Sequence, residues 1–428
     1  MHKVLVVAYY FPPMGLSGVQ RTLKFVKYLK NYGWEPTVIT AGNVAYFAHD
    51  KSLQKELDDT VIEVIRVGGK EPNSLLSKFG TIKFPREINR KIINRLSQTF
   101  FIPDNKISWA KKAAKKAQDL LKGESYELVF ITGPPFSAFY SFANLKSKIN
   151  VPLVIDYRDL WCNSYFSFYL TPFHKLLHKK MEYESLKAAD LVIVTNRVVK
   201  EKIIKKYNFL TYNDIAIISH GFDPEDFEKT IEEVKTNNRM RLVYSGIFLE
   251  YNSPKYFLQA FKAITIERPD IAKNIELHFV GFLREENKKL IKKLNLQEFV
   301  FDDGYLNHNE AVSKIKSADV LWFMIGRRKN IDAILPGKVY EYIGSKKPIL
   351  ACVPEGAAKI ALSEYPASFI CEPDNVNQIK ETIIKIFELY KRNELPQVED
   401  GLLEKYRRDN LTDQLTKQFN KLLGAKVI

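Results

Sequence analysis

Short apolar runs rich in Val, Ile and Phe alternate with amphipathic stretches almost from end to end, the pattern of parallel α/β layers. In the first half the strand-like runs are 3–11, 35–40, 61–67, 127–132, 151–156, 190–195 and 215–219. Several lack polar alternation, as strands buried on both faces do. Between the first two lies a predicted helix, 19–31, with Val19, Leu23, Val26 and Leu29 on one face and Gly33 as its stop. A polar, charged passage at 223–238 reads as a hinge, after which the pattern restarts at 242–246, 275–281, 299–302, 320–325, 348–353 and 368–371. A helix over 376–390, a break at Pro396 and a final amphipathic helix over 402–423 complete the series.

The length of 428 residues exceeds one ordinary hydrophobic core, so two domains are expected. With 46% apolar and 27% charged residues the chain is globular, not disordered or fibrous. No apolar run reaches the roughly 18 residues of a membrane span. The opening MHKVLVVAYYFPP stops at a double proline and reads as a first strand, not a signal peptide. Cys162, Cys352 and Cys371 are too scattered for a disulfide framework or a zinc site, and a reducing cytoplasm is the simplest location. The net charge of +15 suits nucleic acid, an anionic membrane or a phosphorylated small molecule, and charge alone does not choose among them.

Three segments could carry chemistry. The turn 12–18, with Gly15 and Gly18, joins the first strand to a helix start, where backbone amides can meet phosphate. It lacks both the GK[ST] of a Walker loop and the GxGxxG of a dinucleotide fold, so a merely structural tight turn remains an equal reading. In the run 335–344, Pro336 suits a helix start, Gly337 and Lys338 would present amides to a phosphate, and Glu341 one turn on could accept bonds from ribose hydroxyls. Taken by spacing alone, Glu341 reads first as a surface residue on an ordinary connecting helix. Asp156, Arg158 and Asp159 follow a buried strand at its carboxyl end, where open α/β sheets bind ligands. The alternative there is an Arg158–Asp159 ion pair that merely holds a loop.

Together, the opening VAYYFPPMGLSGVQRTLKFVKYLKNYGWEPTVIT, IDYRDLW, SHGFDPEDF, YSGIF and PGKVYEYIGSKKPILA resemble glycosyltransferase family four over nearly the whole chain. The resemblance implies the α/β GT-B fold, two Rossmann-like domains with parallel sheets facing across a donor cleft. It implies an N-terminal acceptor domain at 1–225, a nucleotide-sugar donor domain at 226–398, and a last helix, 399–428, returning to the first. It also implies transfer of a hexose-type sugar, usually with retention, from a nucleotide-diphosphate sugar to a glycan or lipid-linked acceptor, in synthesis of surface polysaccharide or glycoconjugate. Gly15 and Gly18 then match the loop closing over the donor diphosphate. Gly246 matches the donor-domain phosphate loop, Tyr305 the position whose backbone faces the base, and Glu341 the ribose-binding glutamate. The IDYRDLW segment makes Asp156, Arg158 and Asp159 candidates for the catalytic part of the site.

Two positions depart from the family. Ala333 stands where the first glutamate of the paired motif belongs, and Ile247 and Tyr251 stand near where an Arg and a Lys neutralise the diphosphate. Another cation must stabilise the departing phosphate, and Arg327, Arg328 and Lys338 flank the loop by topology. No DxD pair occurs, so a metal-independent reaction without cofactor is expected. His220 lies near a motif, and a structural role is expected of it.

Between residues 70 and 122 there are 13 Lys or Arg against 4 Asp or Glu, so the basic surplus is concentrated. Ile82, Phe84, Ile88, Ile92, Ile93 and Leu96 interleave with Lys83, Arg86, Arg90, Lys91 and Arg95, which fits an amphipathic element on an anionic membrane from the cytoplasmic side, the alternative being a solvated helix face packed on the first domain. No nucleic-acid-binding motif is present. A GT-B epimerase or phosphorylase, or a non-catalytic nucleotide-binding module, are the competing functions.

Overall fold

The computed structural model describes residues 1–424 except 47, 71–80, 82–86, 124 and 249–251, and leaves out the side chains of 87 and 88. The chain forms two compact units, Met1–His220 with Arg408–Ile428, and Gly221–Arg407.

In the first unit, β1 (His2–Val7), β2 (Trp34–Ala41), β3 (Glu63–Val67), β4 (Leu128–Gly133), β5 (Leu153–Tyr157), β6 (Leu191–Val194) and β7 (Ile215–Ile217) form a parallel sheet in the order β3-β2-β1-β4-β5-β6-β7. Val4 to Val7 of β1 are fully buried, which explains the unbroken apolar run. The Ser17–Leu29 helix buries Val19, Leu23, Val26 and Leu29, and Gly33, at φ 79°, supplies the left-handed turn into β2. The Arg408–Leu422 helix packs in this unit too. Phe419 lies edge-on to Trp34 and Phe130 at 5.1 and 5.6 Å, and Trp34 Nε1 donates to Asn420 Oδ1 at 3.1 Å. Burying a Phe side chain of this kind stabilises by about 2 to 3 kcal/mol.

In the second unit, β8 (Met240–Ser245), β9 (Ile275–Val280), β10 (Val300–Gly304), β11 (Val320–Met324), β12 (Ile349–Cys352) and β13 (Ser368–Cys371) form a parallel sheet in the order β10-β9-β8-β11-β12-β13. Its core centres on Trp322, stacked on Phe257 at 3.8 Å, with Tyr244 stacked on Phe248 at 4.1 Å. Cys352 and Cys371 are partners across β12 and β13, and all three cysteines are buried free thiols.

The passage 223–238 is not a free hinge. Asp223 caps the short Pro224–Lys229 helix, Asp226 pairs with His308 Nε2 at 2.9 Å, and Lys314 with Glu233, so it belongs to the second unit. The last helix begins at Arg408 rather than 402, because two 3-10 turns, Asp400–Leu402 and Glu404–Tyr406, precede it.

In each sheet the strand order reverses once, between β1 and β4 and between β8 and β11. Helices leaving opposite ways there open a crevice at the carboxyl ends of the strands. Gly15 and Gly18 follow β1, and Gly246 follows β8, so each glycine loop stands beside such a reversal.

Candidate functional site

In the first unit, the loops after β1, β4 and β5 are tied together by buried charge. Asp156, with no exposed surface, accepts from Arg21 Nε at 3.0 Å, from Arg21 Nη2 at 2.8 Å and from Thr132 Oγ1 at 3.0 Å. Arg21 in turn donates to the carbonyls of Ser219 and Ile218 at 2.7 and 2.9 Å. Asp156 therefore meets protein groups only, and its place is that of an anchor.

Arg158 does not form the ion pair with Asp159 that the sequence allowed. Its guanidinium donates instead to three carbonyls, Gly18 at 2.7 Å, and Gly133 and Pro134 at 3.2 Å each. Burial lowers its pKa, while Asp156 and Asp159 oppose that shift. Asp159 is half-buried, its pKa raised by burial against the opposing charge of Arg158, and its carboxylate makes no hydrogen bond among the described residues. Gly15 donates its amide to the Ala48 carbonyl at 2.9 Å, and Leu16, at φ 69°, takes the sharp step into the helix. A Cβ on Gly18 would meet nothing within 4 Å. His220 is held neutral: burial lowers its pKa well below the usual range, and Arg21, Arg408 and Arg158 add to the effect.

In the second unit, Gly246, Gly281 and Gly304 end β8, β9 and β10 with φ of 138°, 125° and 71°. Gly246 donates to the Val280 carbonyl at 2.8 Å and Gly281 to that of Gly304 at 2.7 Å, so three adjacent strand ends are stitched together. A Cβ on Gly281 would lie 2.3 Å from the Gly246 carbonyl oxygen. Tyr305, directly after Gly304, stacks on Phe282 at 5.2 Å and 16°.

Lys338 starts the short Lys338–Gly344 helix, and its Nζ lies 2.7 Å from where a Gly246 Cβ would stand. It donates to Tyr244 Oη at 3.0 Å and to the Ser245 carbonyl at 3.3 Å. Burial pushes its pKa down to about 8, opposed by Glu341. Tyr342, from the same helix, accepts the Ser245 amide at 2.7 Å and pins this turn. Glu341 lies three residues past Lys338, on the same helix face. It is half-buried, and its side chain makes no hydrogen bond among the described residues. The amides of Val339 and Tyr340 bond the carbonyls of Pro336 and Gly337, whereas those of Gly337 and Lys338 make no backbone bond among the described residues.

The three candidate phosphate cations thus separate. Arg327 is exposed and engaged by Asp374 at 3.0 Å and by Glu372, both beyond the end of β13. Arg328 is exposed on the same loop. Lys338 alone of the three lies on the Gly246 turn. Ile247 is half-buried, Ala333 is buried, and Tyr251 lies outside the described residues.

Sequence reading missed Arg21 and Thr132 as anchors of Asp156, and Tyr244 and Tyr342 as hydroxyls on the Gly246 turn. The only local signal for Arg21 is a charge on an otherwise buried helix face.

Of the basic stretch, the Glu87–Phe100 helix exposes Ile92, Ile93, Leu96 and Phe100 beside Arg90, Lys91 and Arg95. Ile82, Lys83, Phe84 and Arg86 lie outside the described residues, as does the side chain of Ile88. Among the described residues no helix is long and apolar enough to cross a membrane.

Two parallel Rossmann-like units, each with a glycine loop at its strand-order reversal, define the GT-B class of protein. Residues 17–226 match Glycosyltransferase Family 4, and residues 225–397 match Glycosyl transferases group 1. The chain belongs to the glycosyltransferases of family four. Among solved structures it resembles sucrose-phosphate synthase from Thermosynechococcus elongatus, with TM-score 0.67 and 13% identity over 99% of this chain and 100% of that one. It also resembles HepE of Anabaena in complex with UDP, with TM-score 0.62 and 14% identity over 98% and 100%. WaaG, a glycosyltransferase involved in lipopolysaccharide biosynthesis, follows with TM-score 0.60 and 14% identity over 99% and 100%. At such identities the likeness is one of fold. No curated protein matches the chain by sequence.

Proposed function

We propose that the protein transfers a hexose-type sugar, with retention, from a nucleotide-diphosphate sugar to a glycan or lipid-linked acceptor, at an anionic membrane face and in assembly of surface polysaccharide or glycoconjugate. The observation that carries the reading is the Lys338 ammonium on the Gly246 turn with Glu341 one helical turn further on. A cation over a glycine turn suits a diphosphate, and a carboxylate that makes no hydrogen bond among the described residues suits a ribose diol.

In this reading Lys338 takes the electrostatic task of the basic pair that the Gly246 loop lacks. It stabilises negative charge on the departing diphosphate, so the reaction needs no metal. Gly15 and Gly18 let backbone approach the donor closely, and the Phe282–Tyr305 stack offers a flat wall to a base. Asp159 is the carboxylate left to face the sugars, whereas Asp156 and Arg158 position the loops.

The membrane part rests on exposed apolar side chains rimmed by positive charge. Ile92, Ile93, Leu96 and Phe100 are joined by Phe166, Leu170 and Phe173, since Gln98 accepts from the Phe168 amide at 2.8 Å and donates to the Phe166 carbonyl at 3.4 Å. Arg90, Lys91 and Arg95 lie on the Glu87–Phe100 helix, and Lys175 and Lys179 on the Pro172–Ala188 helix that carries Phe173, as an interfacial element requires.

The test is a panel of nucleotide-sugars incubated with the purified chain and a membrane glycolipid extract, in buffer with EDTA. Release of nucleoside diphosphate that depends on the extract supports the reading. Interconversion of donor sugars without extract makes the protein an epimerase, and nucleotide binding with no turnover of any donor makes it a binding module.

A further inference from the structure

The first unit contains a cavity of about 280 Å³ at the carboxyl ends of β4 and β5, apart from the Gly15–Gly18 turn. That volume lies at the small end of ligand pockets, enough for one ring rather than an extended molecule. Its wall is aromatic. Phe136 and Trp161 stack face to face at 5.1 Å and 6°, and Phe166 stands at the rim, half-exposed.

Among the described residues of that wall, His178, Asp159 and the Tyr169 hydroxyl have unused bonding capacity. His178, on the Pro172–Ala188 helix, is 7% exposed and accepts at Nδ1 from Trp161 Nε1 at 3.0 Å. Burial pushes its pKa down to about 4, so near neutral pH the ring is uncharged and its one proton sits on Nε2. That buried Nε2 has no hydrogen-bond partner among the described residues. A buried donor without an acceptor is costly, so its persistence here points to a ligand. Asp159 adds an acceptor, because its carboxylate lines the cavity and makes no hydrogen bond among the described residues. Asp104 is different: it is held by Ser137 Oγ and amide at 2.7 and 2.8 Å and by the Lys106 amide at 2.9 Å, and so shapes the floor.

We propose that this cavity binds one pyranose ring, the sugar of the acceptor, with an apolar ring face against the Phe136 and Trp161 wall, a hydroxyl oxygen accepting from His178 Nε2 and a hydroxyl donating to Asp159. An apolar face edged by groups that both donate and accept is the chemistry of a sugar. A hydrocarbon chain would leave these polar groups unpaired, and a phosphate would meet two carboxyl groups, Asp104 and Asp159, against the one ammonium of Lys106. The assignment rests on the transferase reading only in calling the ring the acceptor's.

Saturation-transfer NMR on the full chain tests it, with methyl glycosides of glucose, galactose, mannose and N-acetylglucosamine as probes and decanol as an apolar competitor. At least one glycoside binds the wild type, and His178→Phe, which keeps the ring volume, weakens it about ten-fold, as does Asp159→Asn. Nucleoside-diphosphate binding, read in the same samples, stays near wild type, which separates loss of the pocket from loss of the fold; the melting temperature holds in Asp159→Asn and drops in His178→Phe, which leaves Trp161 Nε1 without its acceptor. Absence of binding by all four glycosides overturns the proposal, and so does equal binding by wild type and both variants. Decanol binding that excludes glycosides and strengthens in His178→Phe makes the cavity a lipid pocket instead. Should glycosides bind as stated while no nucleotide-sugar is turned over, the sugar site stands and the transferase reading falls.

Discussion

Arg158 Nη1 donates to the carbonyl oxygen of Gly18 at 2.7 Å, joining residues 140 positions apart. The guanidinium thereby braces the glycine turn after β1 against the loop that follows β5. The turn's shape depends on a planar fork that also reaches Gly133 and Pro134.

Arg158→Lys is therefore not conservative, because an ammonium cannot reach three carbonyls held in one plane. The expected loss is roughly 1 to 3 kcal/mol of unfolding free energy from carbonyls left unpaired, with weaker donor binding beside it. Urea unfolding and donor titration read the two effects, and a variant as stable as wild type would remove the brace from the account.

Lys338 predicts a pH dependence. With its pKa at about 8, the ammonium is present below that pH and lost above it, so nucleoside-diphosphate affinity falls as pH rises from about 7 to about 9. Lys338→Met should bind more weakly at pH 7 and show no such fall. Stability moves the other way. Because the folded pKa lies below the unfolded value of about 10.4, the unfolded chain holds more protons between those values, and stability rises with pH across that window. Isothermal titration and chemical unfolding over this range separate the two signs, and a wild-type affinity flat from pH 7 to 9 would rule Lys338 out as the phosphate cation.

Glu341→Gln keeps size and removes charge. Losing a charged hydrogen bond costs about 1.5 to 3 kcal/mol, so donor affinity should drop roughly ten- to a hundred-fold with little change in folding. The same substitution should change binding of inorganic pyrophosphate, which has no ribose, much less, because that ligand senses it only through the lost Glu341 charge near Lys338. Equal weakening of both ligands would place the carboxylate elsewhere.

The exposed face of the Glu87–Phe100 helix should bind anionic vesicles. Each Lys or Arg near such a surface adds on the order of 1 kcal/mol, so replacing Arg90, Lys91 and Arg95 by Gln should weaken binding by well over ten-fold at low salt. Co-sedimentation with anionic and neutral vesicles checks this, and binding indifferent to lipid charge would leave the helix a solvated face.

Much of the fold was legible because its signal is local. Strands buried on both faces require apolar runs wherever they occur, and each run in the sequence corresponds to a strand, 368–371 coinciding with β13. Gly33 likewise marked the first helix end, since its positive φ is a property of one residue. Glu341 and Lys338 could be singled out by their spacing on one turn of a short helix. What the sequence could not yield was partnership. It left Arg158 between an ion pair with Asp159 and a functional role at the strand end, and left Arg327, Arg328 and Lys338 equivalent as phosphate cations. Those choices depend on strand order and register, and uniform apolar runs of a parallel sheet encode neither visibly. Only when β1 lies beside β4, and β8 beside β11, does Arg158 reach Gly18 and Lys338 reach Gly246. The same holds for His178 and Trp161, separated by a loop and nearly two helical turns: desolvation makes an orphaned nitrogen costly, and desolvation is a property of the packed interior rather than of the chain.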